Sequence, residues 1–248
     1  MYDYSEQRRT LNKPMLLSRF CLPFIFENVS VGLFLDSDMI VQESISKLYD
    51  EYYNKLDYIF AWSVMNRDPK RQFDDLCNKS ERAEFFNDYL EQNLSSIFAS
   101  VHPIDFTTMG PTFNGGILMF SFEWWRKYKF TEQSLALFKF ENLYWKRFGA
   151  RPWKDRTQPV INLLFHINQM KVGAFDQNWN WVVHKWKSKA KSAKEYDERV
   201  RKAKLVHWSG HSKPWKEANA SSAALWVGYI PKDANISDWQ NNLNIHFS

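Results

Sequence analysis

The stretch "VGLFLDSDMIV", Val31 to Val41, decides the fold that we predict for this chain. Its first residues are apolar, and two aspartates one residue apart, Asp36 and Asp38, interrupt the run before it resumes. A carboxylate among apolar residues is unfavourable unless it is paired, hydrogen-bonded or bound to a metal. In extended backbone, residues i and i+2 point to the same side, so both carboxylates can face one cation. The stretch predicts a buried strand over residues 31–35 that ends either in an Asp-rich turn or in a metal site.

The patterns around this strand predict an α/β fold. Apolar residues recur at helical spacing in residues 11–26. Residues 42–53 resemble a helix, and residues 56–64 resemble a second strand. Helices that alternate with strands favour a mostly parallel sheet. The remaining patterns predict helices over residues 81–98, 123–148 and 157–168 and strands over residues 112–122, 171–175 and 204–208.

The chain shows no internal repeat and no low-complexity linker, so we predict a single domain over residues 1–248. Thr157 is the expected N-cap of the helix over residues 157–168, with Pro159 in its first turn. A hydrophobic content of 44% with 25% charged residues is that of a globular protein. Aromatic residues reach 17%, which suits carbohydrate-binding faces as well as core packing, and we favour core packing.

Charge and cysteine content exclude several classes of protein. The formal net charge is +5, and much of the excess lies in residues 184–204. That segment suits contact with phosphates or an anionic membrane surface, but a solvated helix or loop is the commoner origin of such a run. No nucleic-acid-binding motif accompanies it, so we expect no nucleic-acid partner. Two cysteines, Cys21 and Cys77, provide neither a disulfide framework nor a thiolate metal cluster.

Signals for the cellular compartment are weak. No apolar run approaches the ~20 residues that span a bilayer. Residues 1–10 lack the apolar region of a signal peptide, and the chain shows no membrane anchor. Five N-x-S sequons are a mild indication of a secretory lumen.

A second motif, "HWSGHSKPW", runs from His207 to Trp215. His207 can offer a neutral ring nitrogen to a metal. Gly210 lets backbone N–H groups approach a phosphate, and Lys213 can neutralise it as a point charge. Each residue alone also fits a packed histidine, a turn glycine or a surface lysine, but their combination at this spacing favours phosphate binding.

These motifs carry a family resemblance. "FLDSDMIV", "FNGGILMF", "TQPVINLLF" and "HWSGHSKPW" resemble glycosyltransferase family 8 in their order and spacing, and the last is most similar to the animal glycosyltransferase 8 domain-containing branch. The likeness runs from Arg19 to about Pro231. It implies a GT-A fold, a Rossmann-type mixed sheet flanked by helices. Family members usually carry one or two βα units before the helix of Arg19, so the resemblance implies an N-terminally truncated domain with an unpaired sheet edge.

The resemblance also implies a metal site and a phosphate site. Asp36, Asp38 and His207 would be manganese ligands, with magnesium as the alternative ion. Ser37 belongs to the same donor-binding stretch. The phosphates of a UDP-sugar would be held by Gly210 and Lys213.

The resemblance also implies which residues contact the donor, its sugar or the acceptor. Arg19 matches a helical arginine that contacts the donor, and the expected lining of the sugar or acceptor pocket is Asn114, Gly115 and Gly116. Gln158 matches a polar group at the reacting face of the sugar. Thr157 stands where relatives commonly have an aspartate that binds sugar hydroxyls, and Asp155 is close enough in sequence to replace it.

Two functions follow as hypotheses. The first is a manganese-dependent retaining glycosyltransferase that transfers a hexose or pentose from a UDP-sugar to a glycan or protein acceptor, in the Golgi or secretory-pathway lumen by family resemblance. The second is a truncated, non-catalytic family member that acts as a binding or partner subunit, for example with another family member. Nucleic-acid binding through residues 184–204 ranks last.

Overall fold

The structure is a computed structural model of the chain. It describes residues 14–55, 60–64, 72–95, 97, 103–106, 108–110, 112–154, 157–187, 189–210, 213, 225–226 and 228–229. The chain divides into two compact units. Unit 1 comprises Met1–Phe34 and Asn54–Ala174, and unit 2 comprises Leu35–Tyr53 and Phe175–Ser248. The single domain over residues 1–248 stays a prediction.

Helices and strands are interspersed along the described chain. The helices are α1 Pro14–Ile25, α2 Ile45–Tyr52, α3 Asp74–Cys77, α4 Ser80–Leu94, α5 Phe122–Lys127, α6 Phe130–Phe148, α7 Gln158–Ile167, α8 Val183–Lys187 and α9 Ala193–Lys202, with 3-10 turns at Tyr53–Lys55 and Gln177–Asn180. The strands are β1 Val31–Leu35, β2 Met39–Val41, β3 Phe60–Val64, β4 Phe113–Ser121, β5 Val172–Ala174, β6 Trp181–Val182 and β7 Leu205–His207.

The strands form two sheets, one of four strands in the order β1-β4-β3-β5 and one of three strands in the order β2-β7-β6. In the first sheet β3 pairs with β4 antiparallel and with β5 parallel. In the second, β7 pairs with β2 antiparallel and with β6 parallel. The mixed sheet that the resemblance implied is therefore present, and each sheet contains pairings of both directions. The mostly parallel sheet expected from the alternation of elements stays a prediction, since apolar runs predict that a strand exists but do not fix its pairing partner.

One predicted helix is broken. The pattern over residues 123–148 predicts one continuous helix, but α5 and α6 are separated at Lys129, whose φ is 51°. A left-handed residue cannot continue a right-handed helix. The reversal lets the indole N–H of Trp125 donate to the hydroxyl of Thr131 at 3.0 Å, so it is stabilised by side-chain contacts that periodicity does not report.

Two further expectations about strands need correction. The strand over residues 31–35 is present, but it is half-buried rather than buried, because β1 ends the described strand order of its sheet. The three residues of β2 were not predicted as a strand, since so short a run carries no measurable alternation.

Aromatic side chains fill the core of unit 1, as predicted. Phe20 and Phe138 meet edge to face with ring centroids 5.3 Å apart. Phe86 and Phe140 make a similar contact at 4.9 Å. Such geometry suits the ring quadrupoles and adds to the hydrophobic gain of burial.

The basic stretch over residues 184–204 is largely helical, as α8 and α9. Ser192 caps α9 by accepting a hydrogen bond from the N–H of Glu195 at 3.1 Å, and the basic residues of its last turn suit the helix dipole. The expectation of a solvated helix is met. Across the described residues, none of the helices has the length and apolar character that crossing a membrane requires.

Gly32 in β1 provides a test of the packing in unit 1. A Cβ at Gly32 would lie 2.2 Å from Cε1 and 2.4 Å from Cζ of the Phe122 ring, which is 3% exposed and has little room to move. Gly32→Ala should lower the free energy of unfolding by about 1–3 kcal/mol, measured by urea denaturation. The matched control is Gly110→Ala, where an added Cβ meets nothing within 4 Å and a change within about 0.5 kcal/mol is expected. Equal stabilities of the two variants would contradict this packing.

Candidate metal centre

The three-stranded sheet of unit 2 brings two distant parts of the sequence together. Asp38 directly precedes β2, and His207 is the last residue of β7. In the antiparallel register Met39 lies opposite His207, so Asp38 falls beside the end of β7. The backbone N–H of Trp208 donates to the carbonyl oxygen of Asp38 at 3.0 Å and fixes this arrangement.

The side chains of Asp36, Asp38 and His207 converge. Nε2 of His207 lies 3.4 Å from Oδ1 of Asp38 and 3.8 Å from Oδ2 of Asp36. One ligand atom from each residue lies within 4.8 Å of the other two. Octahedral ligands about 2.1 Å from a common ion lie about 3 Å from adjacent ligands and about 4 Å from opposite ones. The three residues could therefore hold a divalent metal ion with small adjustments.

Lys213 is paired with the same aspartate. Its ammonium group donates to Oδ2 of Asp38, and it donates to the carbonyl oxygen of Trp208 at 2.7 Å. Burial by itself would raise the pKa of Asp38, but hydrogen bonds and charge from His207 and Lys213 outweigh it, and the pKa lies below its ordinary value. Asp38 is therefore an anion at neutral pH, as a metal ligand must be.

Gly210 and Ser37 lie in the turns that flank this centre. Gly210 has a φ of 98°, a conformation that side-chain-bearing residues rarely adopt, so glycine is required there. Ser37 is exposed in the turn that separates Asp36 from Asp38. The expected roles of both residues beside an anion stay predictions.

Three of the predicted sugar-binding residues of unit 1, Arg19, Gly115 and Gln158, are linked by hydrogen bonds. The guanidinium of Arg19 donates to the carbonyl oxygen of Gly115 at 3.0 Å and lies 4.1 Å from the ring centroid of Phe34. The N–H of Gly115 donates to Oε1 of Gln158 at 3.2 Å. Gly115 thus separates Arg19 from Gln158, and a Cβ there would come within 3.2 Å of Arg19 Nη1.

Asn114 and Gly116 are tied to each other. The Asn114 side chain is buried, and its Oδ1 accepts the N–H of Gly116 at 2.7 Å. That oxygen therefore holds the backbone in place, a function that the sequence does not indicate. Thr157 is the N-cap residue of α7 by position, but its side chain makes no capping hydrogen bond. Asp155 lies outside the described residues.

Two polar residues of unit 1 escaped the sequence reasoning. Asn162 accepts the N–H of Phe113 at 3.0 Å and donates to the carbonyl oxygen of Gln158 at 3.1 Å. It also donates to Oε1 of Gln72 at 3.3 Å. The four-residue spacing from Gln158 on one helix could have indicated Asn162, whereas no local pattern marks Gln72.

Comparison with protein families decides the classification. The model of glycosyl transferase family 8 matches residues 3–219. The chain belongs to glycosyltransferase family 8. It is 28% identical over 228 residues to glycosyltransferase 8 domain-containing protein 1 of Xenopus tropicalis, an alignment that covers 88% of this chain and 55% of the relative. It is 24% identical to glycosyltransferase 8 domain-containing protein 2 of Mus musculus, covering 96% of this chain and 64% of the relative.

Solved structures give the fold of this family 8 chain. The apo form of the glycosyltransferase GlyE of Streptococcus pneumoniae TIGR4 matches with a TM-score of 0.52 at 16% identity, covering 96% of this chain and 46% of GlyE. An active-site mutant of LgtC matches with a TM-score of 0.50 at 15% identity, covering 88% of this chain and 69% of LgtC. The fold is that of the GT-A glycosyltransferases, as the resemblance predicted. The chain spans little more than half the length of the curated relatives.

The contact between Lys213 and Asp38 predicts competition with a metal. An incoming cation must share Asp38 with an ammonium group already bound to it. Replacing Lys213 by Met removes a positive charge that would lie about 4 Å from the bound ion, and the repulsion between two such charges costs about 1 kcal/mol or more. We expect Lys213→Met to bind Mn²⁺ roughly fivefold or more tightly than the wild type in the absence of nucleotide, measured by isothermal titration calorimetry.

The control for net charge is Lys202→Met on the exposed surface of α9 in the same unit. It should leave the Mn²⁺ affinity within about twofold of the wild type, because exposed charges are screened. Unchanged or weaker Mn²⁺ binding by Lys213→Met would refute the competition.

Proposed function

We propose that this chain is a manganese-dependent retaining glycosyltransferase that transfers a hexose or pentose from a UDP-sugar to a glycan or glycoprotein acceptor. Family membership supports the reaction type. The observation that carries the proposal is the convergence in unit 2 of two carboxylates and one imidazole, with Lys213 on one of the carboxylates. This combination suits a metal ion and a diphosphate together.

The donor set favours manganese. Two carboxylates and one imidazole nitrogen form a mixed oxygen and nitrogen set, and Mn²⁺ accepts carboxylate ligands readily. Magnesium is the alternative, since it also binds carboxylates but favours all-oxygen surroundings and retained waters. A divalent ion held there would offset the negative charge that develops on the departing diphosphate.

Lys213 and Gly210 would act on the phosphates. Once a metal balances the charge of Asp38, the ammonium group of Lys213 can turn to a phosphate oxygen without leaving Asp38 uncompensated. Gly210 at positive φ has no side chain that would keep a phosphate from approaching the backbone. The hydroxyl of Ser37 is exposed and available as a further donor.

The sugar would be bound by residues of unit 1. Arg19, Asn114, Gly115, Gly116 and Gln158 are proposed for the sugar or the acceptor from the family resemblance. The N–H of Gly115 orients the Gln158 amide, which is the kind of preorganisation that a charged transition state needs. Asp155 keeps its proposed role as the substitute for the aspartate that Thr157 replaces.

We infer front-side displacement for the reaction. The bond between the anomeric carbon and the phosphate oxygen breaks while the acceptor hydroxyl oxygen bonds to the same carbon on the same face. The hydroxyl proton passes to the departing phosphate oxygen, so no protein nucleophile is consumed. A neutral amide such as Gln158 is a weak nucleophile, which favours this route over a covalent intermediate.

Acceptor, compartment and assembly are likewise proposals. The resemblance supports a Golgi or secretory-pathway location and a glycan or glycoprotein acceptor. Association with another family member is the form that the non-catalytic alternative would take. Thr157 in place of an acidic residue favours that alternative.

The proposal is tested by incubating the purified chain with Mn²⁺ and a panel of UDP-sugars and measuring UDP release. We expect turnover with at least one donor, and a fall of about 100-fold or more in Asp38→Asn, because that variant loses an anionic ligand. The matched control is Asp50→Asn, an exposed acid on α2 of the same unit, which should retain activity.

A melting temperature measured with Mn²⁺ and UDP separates the two functions. If no UDP-sugar is cleaved and UDP with Mn²⁺ does not raise the melting temperature, the enzyme is refuted for this chain. If UDP raises the melting temperature without turnover, the non-catalytic binding subunit is supported instead.

A further inference from the structure

Both ring nitrogens of His207 face oxygen atoms. Nε2 faces the carboxylates of Asp36 and Asp38, at 3.8 and 3.4 Å. Nδ1 lies 2.9 Å from Oδ1 of Asn180. Asn180 belongs to none of the motifs that carry the family resemblance, and the sequence around it, "QNWNW", gives no sign of a functional residue.

Local structure fixes the place of Asn180. It is the last residue of the 3-10 turn Gln177–Asn180, whose start is capped by Oδ1 of Asp176 accepting the N–H of Asn178 at 2.7 Å. Asp176 is anchored in turn, because its own N–H donates to the hydroxyl of Tyr52 at 2.8 Å. Asn180 therefore ends a turn whose first residues are held by two hydrogen bonds.

The sheet completes this placement. β6 begins directly after Asn180 and runs parallel to β7, with Val182 opposite His207. His207 lies on β7, the middle strand of the sheet. On one side of β7 is β2, which Asp38 directly precedes, and on the other side is β6, which Asn180 directly precedes. The contacts on the two nitrogens thus come from the two neighbouring strands.

Burial makes the Asn180 contact decisive for the hydrogen on Nδ1. Asn180 is 4% exposed and His207 is 1% exposed, so bulk water has little access to this hydrogen bond. A neutral imidazole carries a hydrogen on one nitrogen and a lone pair on the other. An amide oxygen only accepts, so a hydrogen belongs on Nδ1, and Nε2 is the nitrogen left to offer a lone pair when a cation sits between the two carboxylates.

We propose that Asn180 is a positioning residue that fixes the tautomer and ring orientation of His207, so that its Nε2 lone pair points to the position flanked by Asp36 and Asp38. The inference rests on the metal site of the proposed function. Metal-binding histidines depend in this way on the partner of their second nitrogen, and loss of that partner typically weakens metal binding 10- to 100-fold.

The competing explanation is a purely structural pairing of two buried polar groups. The amide nitrogen Nδ2 of Asn180 argues against this explanation, because that atom is buried and has no hydrogen-bond partner among the described residues. Burying an unpaired amide nitrogen is unfavourable, so this asparagine is not the choice that maximises stability. A structural role predicts that substitutions change stability, whereas a positioning role predicts that they change the tautomer and the metal affinity.

The test compares Asn180→Leu, which removes the acceptor, with Asn180→Asp, which keeps one. Mn²⁺ affinity is measured by isothermal titration calorimetry, and the His207 tautomer is read from the ring ¹⁵N shifts of the metal-free protein. Asn178→Leu makes the same substitution at an exposed position of the same 3-10 turn. Val200→Ala trims the buried core of unit 2 and shows what loss of stability alone does.

We expect wild-type His207 to give the signature of a ring that carries a hydrogen on Nδ1. In Asn180→Leu that signature should weaken or be lost, and Mn²⁺ should bind roughly 10- to 100-fold more weakly. The melting temperature of this variant should change little, because one unpaired polar group is removed and another is created. Asn180→Asp should keep the tautomer and bind Mn²⁺ at least as tightly as the wild type, while both controls should bind it normally.

Three results would overturn the inference: an Nε2–H tautomer in the wild type, an unchanged tautomer in Asn180→Leu, or a changed tautomer with unchanged Mn²⁺ affinity. A fall in Mn²⁺ affinity in Val200→Ala as large as in Asn180→Leu would assign the effect to stability. The NMR measurement needs neither metal nor substrate, so it tests the role of Asn180 independently of catalysis. If the wild type binds Mn²⁺ and loses affinity in Asn180→Leu but cleaves no UDP-sugar, the enzyme is refuted and the role of Asn180 stands.

Discussion

The pairing of β2 with β7 is the constraint on which the candidate metal centre depends. Asp38 and His207 are far apart in sequence, and the antiparallel register of these two short strands makes them neighbours. Because side chains alternate between the faces of a sheet, a register shift of one residue would turn His207 to the opposite face. The strands are too short to fix the register alone, and the hydrogen bond from the N–H of Trp208 to Asp38 extends it beyond the last paired residue.

Charge balance follows from that constraint. Two carboxylates brought to the end of a small sheet would repel each other and lose hydration, which is unfavourable without a cation. Lys213 supplies one positive group, and the imidazole of His207 supplies a polar contact from the middle of the sheet. The pair of acids therefore has one compensating positive group in the folded chain.

The sequence predicted the candidate centre better than the arrangement around it. Charged or metal-binding residues that follow an apolar run can be recognised in the sequence, and this signal identified Asp36, Asp38, His207 and Lys213. Their convergence into one ligand set was implied by the family resemblance, because the pairing of β2 with β7 that produces it leaves no local pattern. The fold class was accessible from the sequence, since strand and helix periods differ.

Other features depend on contacts between distant residues and were therefore missed. The break at Lys129 and the half-buried state of β1 are set by what each element packs against. Asn180 and Gln72 are polar residues whose neighbours in sequence carry no hint of their partners. A local pattern reports the period of an element, whereas these outcomes are properties of the assembled unit.

The indole rings of unit 2 have a practical consequence. Trp208 directly follows His207, and Trp179 and Trp181 flank Asn180 in sequence, all three of them buried. Trp208 meets Asp38 and Lys213 through its own backbone N–H and carbonyl groups. A paramagnetic ion quenches indole fluorescence at short range, so we expect Mn²⁺ bound at this centre to lower the emission of the unlabelled protein more than diamagnetic Mg²⁺ does.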